Sequence, residues 1–334
     1  MRPNYIKEFN IYLVAPSFGV TTTPYKERMD AALKVLKKYN AKVQFGKNVF
    51  KADLPYASAS PKARAEEIME AFKSDADIVW SVGGGEDECQ ILPYLDFNEI
   101  KKHKKWYIGY SDNTFLTYTL STICDMETIY GPHAPSLYMH PFKYDVLDTV
   151  EMLKGKKEFL GYKSFDLTHS DEILPKYHFN KRKIITPYNY NKPFEGYLIG
   201  GCLDCLNILC GTKYDNTKNY VKDKKTIFFF ESCELNSLDI KRVLFQLKST
   251  GWFDNVSGFI IGRSLNYYDN SFGLTPKDAY IEALKEYNVP VLLDIDLGHI
   301  APSMPIRSGA YAKISYVDNN IKIEYRDWYS IFYS

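Results

Sequence analysis

The N-terminal third of the chain alternates short, uniformly apolar runs with longer stretches whose apolar positions recur at helical spacing. Ile11–Ala15 is such a run and predicts a strand. Over Tyr25–Tyr39 the residues Met29, Ala32, Leu33, Val35 and Leu36 fall on one helical face, and Lys42–Phe45 predicts a second strand. Pro61–Phe72 repeats the helical pattern with Ala63, Ala65, Ile68, Met69 and Phe72 inward. Ser60 is placed as its N-cap and Pro61 at the first helical position. The runs DIVWSV and WYIGY predict a third and a fourth strand. Strands alternating with helices imply βα units and a mostly parallel sheet.

The pattern weakens after residue 145. KGKKEFLGYKS and ITPYNYNKP are polar, tyrosine-rich and broken by proline, so residues 146–193 read as a linker with minor strands and substrate-facing loops. A second alternating region follows. Tyr197–Ile199 precedes a helix over Leu203–Leu209, and TIFFFE is an intensely apolar strand followed by a helix over Ser237–Lys248. GFIIG, a helix over Pro276–Glu286 and the strand VPVLLDID come next, and AKISYVDNNIKIEY predicts a hairpin turning around Asp318–Asn320. The expected fold class is therefore α/β, with domains over 1–145 and 194–334.

Composition narrows the function classes. In 334 residues, 42 Lys and Arg face 41 Asp and Glu, so the basic excess of a nucleic-acid-binding surface is missing. The apolar run near the start spans about five residues, against roughly 7–15 for a signal-peptide core and about 20 for a membrane span. A soluble, cytoplasmic protein is expected. Six cysteines scattered through a chain of this size do not resemble a small secreted disulfide framework.

Ligands of open α/β sheets bind beyond the carboxyl ends of the strands, so polar residues at those ends are the candidates. They are Ser17, the GGGEDE turn, Ser111 after WYIGY, Glu231 after TIFFF, and His299 after VLLDIDLG. Ser111, Glu231 and His299 supply a nucleophile, an orienting carboxylate and a base. Each has a plainer reading. Ser111 at a helix start is a possible N-cap, although Asp112 and Asn113 could cap equally well. Glu231 could be the first polar residue of a loop, and His299 a satisfied structural histidine. Among the other histidines, His103 in KKHKK belongs to a solvated face, His133 and His140 flank APSLYM, and His169 and His178 lie in the linker. The GGGEDE turn lacks the spacing of a phosphate loop, and its acids oppose phosphate. A glycine N–H facing a developing oxyanion suits it better. Cys202 and Cys205 form a C-x-x-C without the second pair or nearby histidine of a zinc site, and read as buried thiols beside Leu206 and Leu209.

Several segments, in order and spacing, resemble the LD-carboxypeptidase family of serine peptidases (family S66), which includes the microcin C immunity peptidases. They are LVAPSFG, ASPKARAEEIMEAF, SVGGGEDECQILPYLDF, IGYSDNTFLTY, YGPHAPS, LIGGCLDCLNILCGT, FFFESCELNSLDIKRVLFQLKSTGWFDNVSGFIIGR and DIDLGHIAPSMPIRSGA. The resemblance implies an N-terminal Rossmann-like domain carrying the nucleophile and a smaller C-terminal α/β domain carrying the glutamate and histidine. It carries a Ser-Glu-His triad onto Ser111, Glu231 and His299, with an oxyanion hole of backbone N–H groups from Asp112 and Gly85. Cys202 stands where the family usually has asparagine. Leu235 stands after Glu234 where immunity-type members carry a cation.

The expected activity is hydrolysis of an amide near a free carboxylate, with no metal or cofactor. The substrate is a cell-wall peptide or a peptidyl or aminoacyl nucleotide, and a homodimer is expected. Arg307, beside the His299 turn, and Arg242, on the helix after Glu231, are candidate donors to that carboxylate, with structural ion pairs as the alternative; Glu234 is a further candidate contact. A non-catalytic ligand-binding module on the same scaffold and a nucleotide-dependent enzyme using the glycine turn are the competing classes.

Overall fold

The structure, a computed structural model, describes residues 9–167 and 172–326. The described chain divides into two compact units. The first holds residues 9–156, 172–176 and Pro305–Arg307. The second holds Lys157–Leu167, Tyr177–Met304 and residues 308–326.

In the first unit, strands β1 (Asn10–Val14), β2 (Lys42–Phe45), β3 (Ile78–Ser81), β4 (Trp106–Gly109) and β5 (Thr128–Tyr130) alternate with helices. These are α1 (Tyr25–Lys38), α2 (Pro61–Lys73), α3 (Phe97–Ile100), α4 (Thr114–Thr122) and α5 (Tyr144–Leu153). All pairings among β1–β5 are parallel. β3 and β4 are buried along their whole length, which is why they read as unbroken apolar runs. Ser60 caps α2 by accepting the Ala63 N–H, with Pro61 at the first helical position. The inner face of α2 (Ala65, Ile68, Phe72) packs with Val14, Val79, Tyr107, Leu116 and Leu120 into one core.

The stretch read as linker from residue 146 begins inside a helix. α5 buries Val146, Val150 and Leu153, one side of three turns. Four short strands follow, β6 (Glu158–Leu160), β7 (Ser164–Phe165), β8 (Lys181–Arg182) and β9 (Thr186–Tyr188).

The rest of the second unit comprises β10 (Phe194–Cys202), α6 (Leu203–Leu209), α7 (Thr217–Asp223), β11 (Thr226–Glu231), α8 (Ser237–Ser249) and β12 (Val256–Gly262). Then come α9 (Pro276–Leu284), β13 (Val291–Ile295), β15 (Tyr311–Val317) and β16 (Asn320–Tyr325); β14 (Ile306–Ser308), between β13 and β15 in the chain, belongs to the sheet of the first unit. Among the described residues its sheet has eight strands in the order β6-β16-β15-β10-β11-β12-β13-β9, against six in the first unit. The centre, β10 through β13, is parallel, and the flanks are antiparallel. β15 and β16 form the predicted hairpin, turned by Asp318 and Asn319 at φ 50° and 58°. The three-residue β14 lies at the edge of the six-stranded sheet, beside β5.

Candidate functional site

In the first unit the chain leaves β4 at Gly109 and turns sharply. Ser111 has φ +62°, opens a short 3-10 helix over Ser111–Asn113, and α4 continues from Thr114. A serine in the left-handed region costs roughly 1–2 kcal/mol, and such strain concentrates at functional sites. The Ser111 N–H donates to the Tyr130 hydroxyl on neighbouring β5 at 3.1 Å. The glycine turn lies against the serine: a Cβ placed on Gly84 would sit 3.3 Å from Ser111 Cβ, 3.4 Å from its Oγ and 3.4 Å from His133 Cε1.

Asp112 and Asn113 do not cap the helix. Their side chains hold the glycine turn instead. The Asp112 carboxylate accepts the Ser17 hydroxyl at 2.5 Å and the backbone N–H groups of Asp87 and Glu88 at 3.1 and 3.0 Å. Asn113 donates to the Gly83 carbonyl at 3.3 Å and to Glu88 at 2.5 Å. His133 Nε2 lies 3.1 Å from Asn113 Oδ1 and 3.3 Å from the Tyr110 carbonyl; both are acceptors, which places the ring proton on Nε2. Three loops at the carboxyl ends of β1, β3 and β4 are thus tied together. Gly85 in this turn has φ +155°, and a Cβ there would overlap Ser17 Oγ and lie 2.7 Å from Phe18 Cδ2.

The acids of the GGGEDE turn divide the work. Asp87 pairs with the fully buried Arg64 at 2.5 Å. Glu88 is itself buried, accepts the Leu116 N–H at 3.2 Å, and has its carboxyl pushed well above the usual range, first by burial and then by the Asp112 charge. Burial also raises the Asp112 carboxyl. Of these holding residues, Ser17 and His133 stand out in the sequence by position. Glu88 falls in the GGGEDE turn, but its burial cannot be read there, because a buried acid and a surface acid look alike in a sequence; Asn113 and Tyr130 do not stand out as holding residues.

In the second unit β11 delivers Glu231 and the turn after β13 delivers His299. Glu231 Oε2 lies 2.9 Å from His299 Nδ1; the glutamate side chain is fully buried and the histidine side chain 16% exposed. Gly298 makes this approach possible. Its φ is +103°, and a Cβ there would stand 2.7 Å from both Cβ and Oε2 of Glu231. The loop after Glu231 is held by Asp204 of α6, which accepts the N–H groups of Cys233 and Glu234 at 3.0 and 2.9 Å. Cys202 is the strand partner of Glu231. Its thiol is pushed well up, first by its hydrogen bond with Cys205 and then by burial.

The remaining candidates fall elsewhere. Arg307, proposed from sequence as a carboxylate reader, is buried in the first unit, paired with Glu127 (Nε–Oε2 3.1 Å) and lying over the Trp106 ring; its guanidinium is already occupied, so it has a structural role. Arg242 pairs with Asp239 at 2.8 Å one turn away, but its side chain is 72% exposed. Glu234 is exposed. His103 bonds Glu99 on a solvated face at 3.1 Å. His140 stands 3.3 Å from the Tyr39 hydroxyl, and His169 lies outside the described residues. Cys202, Cys205 and Cys210 are buried thiols outside any disulfide. Among the described residues no group of three or more His, Cys, Asp or Glu side chains is placed to hold a metal ion, and no helix is long and apolar enough to cross a membrane.

Comparison with known proteins follows these two halves. The profile of the LD-carboxypeptidase N-terminal domain matches residues 11–131, and that of the LD-carboxypeptidase C-terminal domain matches residues 195–314. The chain is 28% identical over 321 residues to the Microcin C7 self-immunity protein MccF of Escherichia coli, covering 92% of this chain and 91% of that one. It is 25% identical to the probable murein peptide carboxypeptidase of Bacillus subtilis, covering 93% and 90%. Among solved structures, MccF in complex with aspartyl sulfamoyl adenosine aligns with TM-score 0.81 and 26% identity over 97% of this chain and 98% of that one. An MccF-like protein from Bacillus anthracis shares the fold with TM-score 0.83 at 23% identity, covering 98% and 100%. Together with a strained serine after β4 and a buried Glu-His pair at the ends of β11 and β13, the two profile matches show that the chain belongs to the LD-carboxypeptidase family of serine peptidases.

Proposed function

We propose that the protein is a serine amidase in which Ser111, His299 and Glu231 act together as a catalytic triad. The observation that carries the reading is the Glu231–His299 pair, a fully buried carboxylate 2.9 Å from Nδ1 of a partly exposed imidazole. A carboxylate held there fixes the tautomer with the proton on Nδ1 and stabilises the imidazolium once it forms. His299 Nε2 then takes the Ser111 hydroxyl proton as Oγ bonds to the substrate carbonyl carbon. The N–H groups of Asp112 and Gly85 receive the oxyanion. Collapse breaks the C–N bond, and His299 Nε2 hands its proton to the leaving amine. Water, deprotonated by the same nitrogen, hydrolyses the acyl-serine and restores the hydroxyl.

The substrate is a small amide beside a free carboxylate. Two candidates follow from the relatives: a cell-wall peptide, as for the murein peptide carboxypeptidase, and an aminoacyl nucleotide amide, as in the MccF complex with aspartyl sulfamoyl adenosine. Arg242, 72% exposed on the helix after Glu231 and paired there with Asp239, is the candidate cation for that carboxylate. The test is to incubate the protein with an L,D-tetrapeptide and, separately, with aspartyl sulfamoyl adenosine, and to read the products by mass. Cleavage of either, abolished by Ser111→Ala, supports the reading. On the peptide substrate, amidation of the terminal carboxylate should lower kcat/KM at least tenfold. Equal rates would remove the carboxylate requirement and leave a broader amidase. Binding without turnover of either compound would favour the ligand-binding module.

A further inference from the structure

Three charged side chains that the mechanism does not use lie buried in the second unit. Asp296 and Arg263 are at most 1% exposed and Lys183 is 3% exposed. Asp296 Oδ2 accepts Lys183 Nζ at 2.7 Å, and Asp296 Oδ1 accepts Arg263 at 2.8 Å. Lys183 also donates to Asn320 Oδ1 at 2.6 Å. Arg263 donates to the Asp294 carbonyl at 3.0 Å and lies over the Phe165 ring at 4.3 Å. Burying three charges for stability alone is a poor arrangement, since well-packed apolar residues of similar volume often do as well or better. Their position suggests a different use.

Asp296 stands at the start of the turn that carries His299, immediately after β13. The turn is pinned at both ends: Met304 N–H donates to the Asp296 carbonyl at 2.7 Å, and Gly298 N–H donates to Ser303 Oγ at 2.9 Å. The segment 161–166, which reads as linker in the sequence, binds the same turn from outside. Tyr162 N–H donates to Asp296 Oδ2 at 2.6 Å, and Asp166 N–H to the Ala301 carbonyl at 2.9 Å. Gly161 leaves room for the junction. A Cβ on it would lie 2.6 Å from Lys183 Nζ, 2.6 Å from Asn320 Oδ1 and 2.8 Å from Asp296 Oδ2.

We infer that Lys183, Arg263 and Asp296 form an ionic anchor that positions the His299 turn, with Lys183 as a positioning residue contributed by the region that reads as linker. The inference rests on the amidase reading of His299. An imidazole must hold its place to within a fraction of an ångström to serve both Glu231 and a nucleophile, and a misplacement of about 1 Å costs on the order of 100-fold in rate. The anchor removes freedom from the turn where the two charged side chains grip Asp296, three residues from the ring.

The test compares the wild-type chain with Lys183→Met, Gly161→Ala and a charge-matched control, Lys322→Met, whose partly exposed lysine pairs with Glu158 and Glu324. Two readouts are taken: steady-state kinetics on a substrate the wild type cleaves, and the NMR resonance of the His299 Nδ1 proton shared with Glu231. The second does not depend on turnover, so it decides the anchor even if the amidase reading fails. Lys183→Met should lower kcat at least tenfold with KM within about twofold, and shift or broaden the Nδ1 proton signal. Lys322→Met should change neither. Gly161→Ala keeps every charge and crowds the side-chain ends of Asn320, Lys183 and Asp296. It should move the same signal in the same direction, and it carries the test should Lys183→Met fail to fold. Folded variants whose His299 resonance stays at the wild-type position would overturn the anchor.

Discussion

Replacing Gly298 by alanine tests the geometry of the Glu231–His299 pair with one methyl group. Two costs act at that position. The backbone at φ +103° is one that L side chains rarely adopt, worth roughly 1–3 kcal/mol. The new Cβ would also lie 2.7 Å from Cβ and Oε2 of Glu231, where ordinary carbon contacts need about 3.5 Å or more, so carboxylate and turn must separate by several tenths of an ångström. Overpacking of this kind costs roughly 1–3 kcal/mol. Together the variant should lose about 2–6 kcal/mol of stability. The separation falls on the carboxylate oxygen that bonds His299, so kcat should drop about 10- to 100-fold. Gly211→Ala separates the two costs. Gly211 has φ +78° with nothing within 4 Å of a would-be Cβ, so its alanine variant meets strain without collision. That variant should lose about 1 kcal/mol and keep full activity. Denaturant unfolding and kcat/KM on the same preparations give both quantities. If Gly298→Ala matches Gly211→Ala in both, the collision with Glu231 is not real and the close approach is wrongly placed.

Three further outcomes are expected. Ser111→Ala and Ser111→Gly should both abolish turnover, but the glycine variant should be the more stable by about 0.5–1 kcal/mol, because relief of the left-handed strain exceeds the entropy glycine adds to the unfolded chain; denaturant midpoints in the reverse order would refute strain at Ser111. Glu88 binds its proton more tightly folded than unfolded, so its contribution to stability is full below the ordinary value of 4.5 and is lost as pH rises from there toward its raised folded value; the stability of wild type relative to Glu88→Gln should therefore decline as pH rises above 4.5, and a constant difference would refute the buried, proton-holding acid. Cys202→Ser with Cys205→Ser should lower thermal stability, since hydroxyls replace buried thiols, while folded protein keeps its activity; loss of turnover in the folded double variant would give the thiols a chemical role.

The strands that position the site were legible because they are buried on both faces. IVWS and TIFFFE leave no doubt of their character, and Ser111, Glu231 and His299 could be found as polar residues at the ends of such runs. α5 was less legible, since its apolar positions lie between a tyrosine-rich start and the polar Lys154–Lys157. β14 has three residues and is defined by pairing with a strand far away in the chain, which no local pattern reports. The holding residues were the least visible. Glu88, Lys183, Arg263 and Asp296 are charged types that sequence reading assigns to the surface, and only the folded chain shows them buried and paired. Arg307 misled for the same reason: adjacency to the His299 turn in the sequence said nothing of Glu127 and Trp106 around its guanidinium.

The edge position of β14 bears on how the protein is made. The six-stranded sheet joins β1–β5, made from one continuous stretch, to β14, which lies about 175 residues further along the chain. At ~5–20 residues per second, the wait between β5 and β14 is on the order of ten seconds or more. During that interval β5 presents an open edge, and Glu127 lacks the arginine that later covers it. Until β14 arrives, the first five strands leave one sheet edge unpaired. An expression product that stops after α5 should be prone to self-association, and a peptide spanning β14, supplied in trans, is the natural means of relieving it.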